Sequence, residues 1–393
     1  MTNQKLLRKS FWQIEFLLKL NGLLPGERYQ ILYSFYTSCL LFVFKIVFPI
    51  LGYTFIYKAD PSERMILIGN SFVYIEVLVL VFKHWPFITN PDLTKRLLNQ
   101  WNESIFNTEV EIDKHIIEES MRQRKIKHNV YFYSATSAPF VMLINVILSD
   151  HSDLKLPIWM PVDVLNSTSW YVCTNAFVFS AYLHGVLGHF CVDMLIVSYM
   201  LYCAAQLKLI KYKLENMEQY LDTDLTTPDQ IGLDDLVQKK IYAQITQCVK
   251  LYDAVFSYVQ ELENVYSIGV FAQFLVASIV LSICLYNMSQ LESLEMNLAY
   301  VMSFFVPMTY LLYLYCNLGT LVMEESTTIG DAILRSQWYN YDIKSKRSLM
   351  ILIERSKRPI RFTAGKLIDL SLDTFVLMVK RAYSLLALLK NFN

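Results

Sequence analysis

Residues 31–57 read ILYSFYTSCLLFVFKIVFPILGYTFIY, an uninterrupted apolar run whose single charge is Lys45. Crossing a bilayer takes roughly 20 apolar residues at about 1.5 Å of rise each. This stretch is therefore long enough to span a membrane and too long for an ordinary core helix. Six more runs of similar reach follow, at 65–84, 128–149, 172–205, 265–288, 297–322 and 366–390. The expected fold class is all-α: a polytopic membrane protein with seven transmembrane helices, built as one domain over residues 1–393. Composition points the same way, since 54% hydrophobic against 18% charged residues is outside the range of soluble domains.

Basic charge between the spans sets the orientation. Residues 1–30, 83–127, 206–264 and 323–364 carry five, eight, six and eight Lys/Arg, whereas 58–64, 150–170 and 289–296 carry two, one and none. Positive charge is retained on the cytoplasmic side, so the N-terminus is expected inside and, after seven crossings, the C-terminus outside. That is the reverse of a G-protein-coupled receptor. Formal net charge is zero, and topology explains the basic segments, so no nucleic-acid partner is implied.

The inner segments are long and helical in pattern. Apolar residues from Leu236 to Leu262 recur at helical spacing, the fourth span continues past Cys203 to Met217, and a further amphipathic stretch covers Leu349–Arg358. Such extensions carry an apolar stripe into water and need partners. A cytoplasmic anchor built from 206–264 and 323–364 is expected, the alternative being helices lying on the membrane surface. Residues 4–20 have the mixed pattern of an amphipathic surface helix and no cleavable signal. The seven cysteines show no metal spacing and mostly lie in spans or inner helices. Asn166 and Asn287 are sequons on the expected outer side, both close to the membrane. Catalytic motifs are missing from the sequence, and neither an enzyme, a metal site nor a cofactor is expected.

Several side chains stand out by position. Lys45 and Glu76 lie near the middle of neighbouring spans. A charge at that depth costs about 2.5–3.5 kcal/mol, so a buried Lys45–Glu76 contact is expected, with packing rather than ligand contact the simpler role. His184 and His189 fall on different faces of the fourth span. In the last span, Asp369, Asp373, Lys380, Tyr383 and Ser384 form a polar sector beside an apolar one of Phe375, Val379, Ala382 and Leu386. That pattern suits either a pore shared between subunits, with a dewetting gate, or a packed helix. The outer halves of spans two, three, four and six are rich in aromatic and small residues. A cavity among Phe72, Ile75, Phe140, Ile144, Thr174, Phe177, Val178, Ala181, Tyr182 and Phe304 would suit a small volatile organic ligand; packing alone explains the same residues.

From Cys316 to Leu389 the chain resembles the C-terminal signature of insect odorant receptors. The matching pieces are Gly319, Glu325-Ser326, Ala332, Trp338-Tyr339, Arg355 to Pro359, Thr363 to Lys366, Leu370 to Phe375 and Ala382 to Ser384. Leu17–Pro25 and Cys284 add weaker similarity. Leu334 departs from the Tyr usual in the family, and a usual His is missing near Tyr242. The resemblance implies a ligand-gated, non-selective cation channel in the plasma membrane of a sensory neuron dendrite. It would be a heterotetramer with odorant co-receptor subunits, joined through the anchor, with the last helix lining the pore. Asp373, Val379, Ala382 and Leu386 would then form the pore and gate. Ser384-Leu385 and Lys390 stand where the co-receptor has Thr-Tyr and a later Gln, which implies a ligand-tuning subunit. A gustatory-type channel of the same architecture is the alternative. A secondary transporter is disfavoured because the halves show no internal symmetry.

Overall fold

A computed structural model describes residues 3–24, 30–59, 72–100, 104–106, 111–148, 158–161, 164, 167–220, 230–290 and 296–391. In chain order the elements are α1 (Asn3–Leu20), α2 (Gln30–Leu40), a π-helical turn (Leu41–Val47), α3 (Phe48–Lys58), α4 (Phe72–Thr89), α5 (Pro91–Asn99) and α6 (Glu111–Leu148). Then come α7 (Thr168–Glu215), α8 (Gln230–Gln290), α9 (Met296–Thr327), α10 (Ile329–Arg335), α11 (Ile343–Ser356), β1 (Thr363–Ala364), β2 (Ile368–Asp369) and α12 (Leu372–Asn391). The fold is all-α, with one two-stranded hairpin that the sequence pattern did not foretell.

Seven helical spans are arranged as a bundle: α2–α3 joined through the π-turn, then α4, α6, α7, α8, α9 and α12. Five of them qualify by length and composition alone. The described α4 and α12 are short and carry charges, Glu76 and Lys83 in one and Asp373, Lys380 and Arg381 in the other. Pro49 explains the π-turn before it. It has no N–H to give to the preceding turn, and the chain absorbs the break by widening the helix over Leu41–Val47.

Three helices far exceed the membrane. At about 1.5 Å per residue, the 38, 48 and 61 residues of α6, α7 and α8 reach roughly 60, 70 and 90 Å, against a hydrocarbon core of about 30 Å. Their extensions meet at one end of the bundle, the base, where α1, α5, α10 and α11 pack around them. Apolar side chains of all these helices pack together there: Ile14 and Leu18 of α1, Leu97 of α5, Leu209 and Leu214 of α7, Ile241 and Ile245 of α8, and Leu349 and Leu352 of α11 share one core. Asp113 anchors the polar side of the base. Its fully buried carboxylate pairs with Lys213 at 2.7 Å and accepts a bond from the Tyr220 hydroxyl at 2.6 Å. Burial, then that carboxylate, pushes the Tyr220 phenol above its ordinary range. A second core, around Phe48, Tyr74, Ala138, Val178 and Val280, fills the opposite end.

α7 is the central post. Every residue from Phe190 to Leu207 is buried, Asp193, Ser198 and Gln206 included, as expected of a helix enclosed by others on all sides. The β1–β2 hairpin is wedged between α8 and α9 and feeds directly into α12. Its three-residue loop, Gly365 to Leu367, places Gly365 and Lys366 at φ of 62° and 59°, a left-handed pair that lets the Leu367 N–H donate to the Ala364 carbonyl at 3.1 Å and close the turn. Glu263 of α8 accepts bonds from both the N–H and the hydroxyl of Thr363, each at 2.7 Å. On the other side, Gly319 of α9 lies so close to Leu370 that a Cβ there would come within 2.0 Å of the Leu370 carbonyl oxygen. Gly319→Ala should therefore separate α9 from the hairpin and cost about 1–3 kcal/mol, read as a lower melting temperature of the purified protein. An unchanged melting temperature would show that this contact is loose.

Candidate ligand cavity

A polar knot ties the middle of the bundle together. Lys83 of α4 and Asp193 of α7 form an ion pair at 2.7 Å, with side chains 1% and 0% exposed. Tyr315 of α9 and Tyr131 of α6 donate their hydroxyls to the same carboxylate at 2.8 and 3.3 Å. Lys83 also lies 3.1 Å from His189 Nδ1. Because an ammonium only donates, Nδ1 is the acceptor and Nε2 carries the ring proton. That Nε2–H donates to the Glu76 backbone carbonyl at 3.0 Å and lies 3.7 Å from the Glu76 carboxylate. Four helices thus converge on one closed set of charges and hydroxyls.

The expected Lys45–Glu76 pair does not form. Lys45, in the π-turn, meets His84 Nδ1, and Glu76 faces His189 and Gln273 instead. The two lie at related depths but point to different neighbours, because the widened turn redirects Lys45 toward the α4 face that bears His84. Sequence spacing gave the depth, not the direction.

Directly on this knot sits a cavity of about 100 Å³. Its walls come from Phe48; Val73, Glu76 and Val77 of α4; Tyr131, Ala135 and Ala138 of α6; Ala181, Tyr182, Gly185, Val186 and His189 of α7; Gln273 of α8; and Ser303, Phe304, Pro307, Met308 and Leu311 of α9. The space is apolar except at the floor, where Glu76, His189, Tyr131 and Gln273 meet. Small residues make the room. At Gly185 an added Cβ would meet nothing within 4 Å.

Three of the ten candidate ligand residues line this cavity: Ala181, Tyr182 and Phe304. Thr174 and Val178 are buried outside its wall, and Ile75 is half-buried beside it. Phe177 supports the wall from behind, packing on Phe44 and Phe48. Phe140 and Ile144 are corrections, being 52% and 48% exposed on the outward face of α6. Phe140 rests on Phe179 rather than in the bundle. The Phe72 side chain and Asn166 lie outside the described residues. Of the floor residues, sequence reasoning singled out Glu76 and His189 without placing them at a cavity and missed Tyr131 and Gln273, which look like any polar residue inside a span until their neighbours are known. His184 packs against Phe44, and no group of ligating side chains able to hold a metal occurs among the described residues.

α12 lies against α8 and α9. Tyr313 meets the Phe375 ring edge-on at 5.9 Å, Thr320 accepts a bond from the Leu372 N–H at 3.0 Å, and the Ser282 hydroxyl donates to the Ala382 carbonyl at 3.1 Å. Ala382, expected at a gate, is instead buried against its own chain, and Leu386 is half-buried. The helix turns Met378 and Ala382 inward one turn apart, which leaves Asp373, Val379, Lys380 and Tyr383 on the open side.

The model of the family described as 7tm Odorant receptor matches residues 66–383. The chain belongs to that family. Among its relatives, Odorant receptor Or1 of Anopheles gambiae is 20% identical over 98% of this chain and 95% of its own length. Odorant receptor 22b of Drosophila melanogaster is 28% identical, over 38% of each chain, so there the chain spans well under half the relative. The solved olfactory receptor OR5 of Machilis hrabei in complex with eugenol has the same fold. Its TM-score is 0.81 at 15% identity, covering 98% of this chain and 99% of that one. The seven-helix membrane architecture of odorant receptors is therefore that of this chain. The family is one of receptors, not enzymes.

In this odorant receptor the knot should behave as a unit. Asp193→Asn leaves Lys83 buried without its counter-charge and should cost about 3–5 kcal/mol, seen as loss of folded protein in fluorescence-detected size exclusion. The double change Lys83→Met with Asp193→Leu removes both charges and should recover most of that loss. A double variant no better than the single one would show that the ion pair is not what the single change breaks.

Proposed function

We propose that this odorant receptor is a ligand-tuning subunit of a ligand-gated cation channel, in which a small organic molecule occupies the cavity between α4, α6, α7, α8 and α9. The observation that carries this reading is the position of the cavity: its floor is hydrogen-bonded through Asp193 to Tyr315, on the same helix whose Tyr313 touches Phe375 of α12. A ligand gates only through different affinities for two states. Pressure on Phe304 and Met308 of α9 is the differential contact available here, and α12 is the element it reaches.

The arrangement of charge supports the orientation. With basic segments flanking the base, the base is cytoplasmic, the N-terminus inside and the C-terminus outside. The cavity then lies in the outer half of the bundle. The open, partly polar side of α12, with Asp373, Val379, Lys380 and Tyr383, faces the pore, and the partners that complete it are copies of the odorant co-receptor assembled through the base. The site of action is the plasma membrane. A gustatory-type channel would share this architecture, but the family match favours the odorant reading.

The test is current recording from cells expressing this chain with the co-receptor, against a panel of volatiles, together with a graded filling of the cavity. Gly185→Ala should weaken the response to the best ligand several-fold, and Gly185→Leu should abolish it, both at unchanged surface level. Equal dose–response curves for all three proteins would remove the cavity from the binding step. No ligand-dependent current with any panel member would remove the channel reading.

A further inference from the structure

Two sides of α1 are apolar. Ile14 and Leu18 are sealed into the base core, yet Trp12, Phe16 and Leu20 are 63%, 54% and 44% exposed. Their four-residue spacing lines them up along one edge of the helix, and the Trp12 and Phe16 rings stack at 6.0 Å. A contiguous row of two aromatic rings and a leucine is the edge of a helix that meets something other than water.

The C-terminal end of α1 shows what surrounds it. The last four carbonyls of a helix are ordinarily left to water. Here each has a protein donor. The Leu17 carbonyl takes the N–H and the side-chain amide of Asn21, each at 2.9 Å, and that of Leu18 takes the Leu23 N–H at 2.8 Å. Tyr33 and Tyr36 of α2 donate their hydroxyls to the carbonyls of Lys19 and Leu20, at 2.9 and 2.6 Å. Leaving no backbone acceptor open is what hydrocarbon demands of a chain end. Depth agrees, because a Cβ on Gly188 of α7 would stand 3.3 Å from both Asn21 Oδ1 and the His84 ring, inside two of the spans. Leu20 and Tyr36 are both exposed, as are Ile31, Leu32 and Phe35 beyond them. The edge of α1 therefore runs without a break into the side that α2 turns to lipid.

Charge selects the lipid. The sequence of α1 holds Lys5, Arg8, Lys9 and Lys19 against Glu15 alone, and Lys19 is exposed beside Leu20. A lysine stem is long enough to reach the headgroups while its neighbour stays among acyl chains, and basic residues at a membrane surface draw anionic lipid. We propose that α1 lies along the base-side face of the bilayer and binds anionic phospholipid, with acyl chains on Trp12, Phe16 and Leu20 and the headgroup held by the basic residues of the helix. This site is separate from the ligand cavity and holds whether or not the chain conducts.

The test places the purified full-length chain in vesicles of phosphatidylcholine and phosphatidylserine in equal parts, with bromine on the acyl chains of one lipid or the other. Bromine quenches tryptophan on contact, and the difference between the wild type and Trp12→Phe isolates the signal of Trp12. Trp12 should be quenched by either brominated lipid, with phosphatidylserine favoured over phosphatidylcholine about 5-fold. Raising the salt concentration, or making Lys19→Gln, should bring that ratio toward one. Unquenched Trp12, equal quenching by the two lipids, or a ratio indifferent to both salt and Lys19→Gln overturns the proposal. Loss of the quenching when the chain is assembled with the co-receptor would give this edge to a partner subunit, and overturns it as well.

Discussion

Charge cannot stand alone inside a bilayer, and this receptor is organised around the place where it meets that demand. Lys83 and Asp193 come from helices far apart in sequence, and neither is tolerable at that depth without the other. Satisfying them recruits Tyr131 and Tyr315, which fixes the positions of α6 and α9 against the central post α7. Apolar packing among transmembrane helices is weakly directional, since lipid competes on equal terms. The polar knot therefore supplies the register that packing alone does not.

The cavity follows from that arrangement. Four helices are held together at one level by polar contacts, and beside that level small residues such as Ala135, Ala138, Ala181 and Gly185 leave a gap unfilled. The floor is consequently polar and the walls apolar, so anything bound there meets the knot first. Tyr315 and Tyr313 are two residues apart on α9, one holding Asp193 and the other resting on Phe375 of α12. The cavity floor and the last helix are thus joined through one helix, α9. The hairpin at Gly365 and the close seat of Gly319 on Leu370 fix where α12 begins.

Much of the architecture was legible in the sequence because the bilayer imposes a simple code of length and apolarity. The run at 31–57 and the apolar stripe from Leu236 to Leu262 each reflect one constraint acting on one helix. The site was less legible because it depends on directions between helices. Tyr182 and Phe304 were recognisable by depth and type, but Phe140 and Ile144 share both and face outward. The π-turn is invisible to helical periodicity, and it turns Lys45 from Glu76 to His84. Ala382 was placed by resemblance to a gate, whereas its inward packing against Ser282 is a matter of helix rotation that no single-chain pattern encodes.

The central claim is that α12 turns its open side to an ion pathway. Substituted-cysteine accessibility measures this directly. Cys39 and Cys173 are the exposed thiols among the described residues, and burial pushes the Cys248 thiol in the base up to about 12, so background reaction can be removed by changing two residues. In that background, Tyr383→Cys with the co-receptor should lose ligand-evoked current when a charged, membrane-impermeant thiol reagent is applied from outside, and faster with ligand present than without. Current unaffected at Tyr383→Cys, but blocked at the inward Ala382→Cys, would contradict the account.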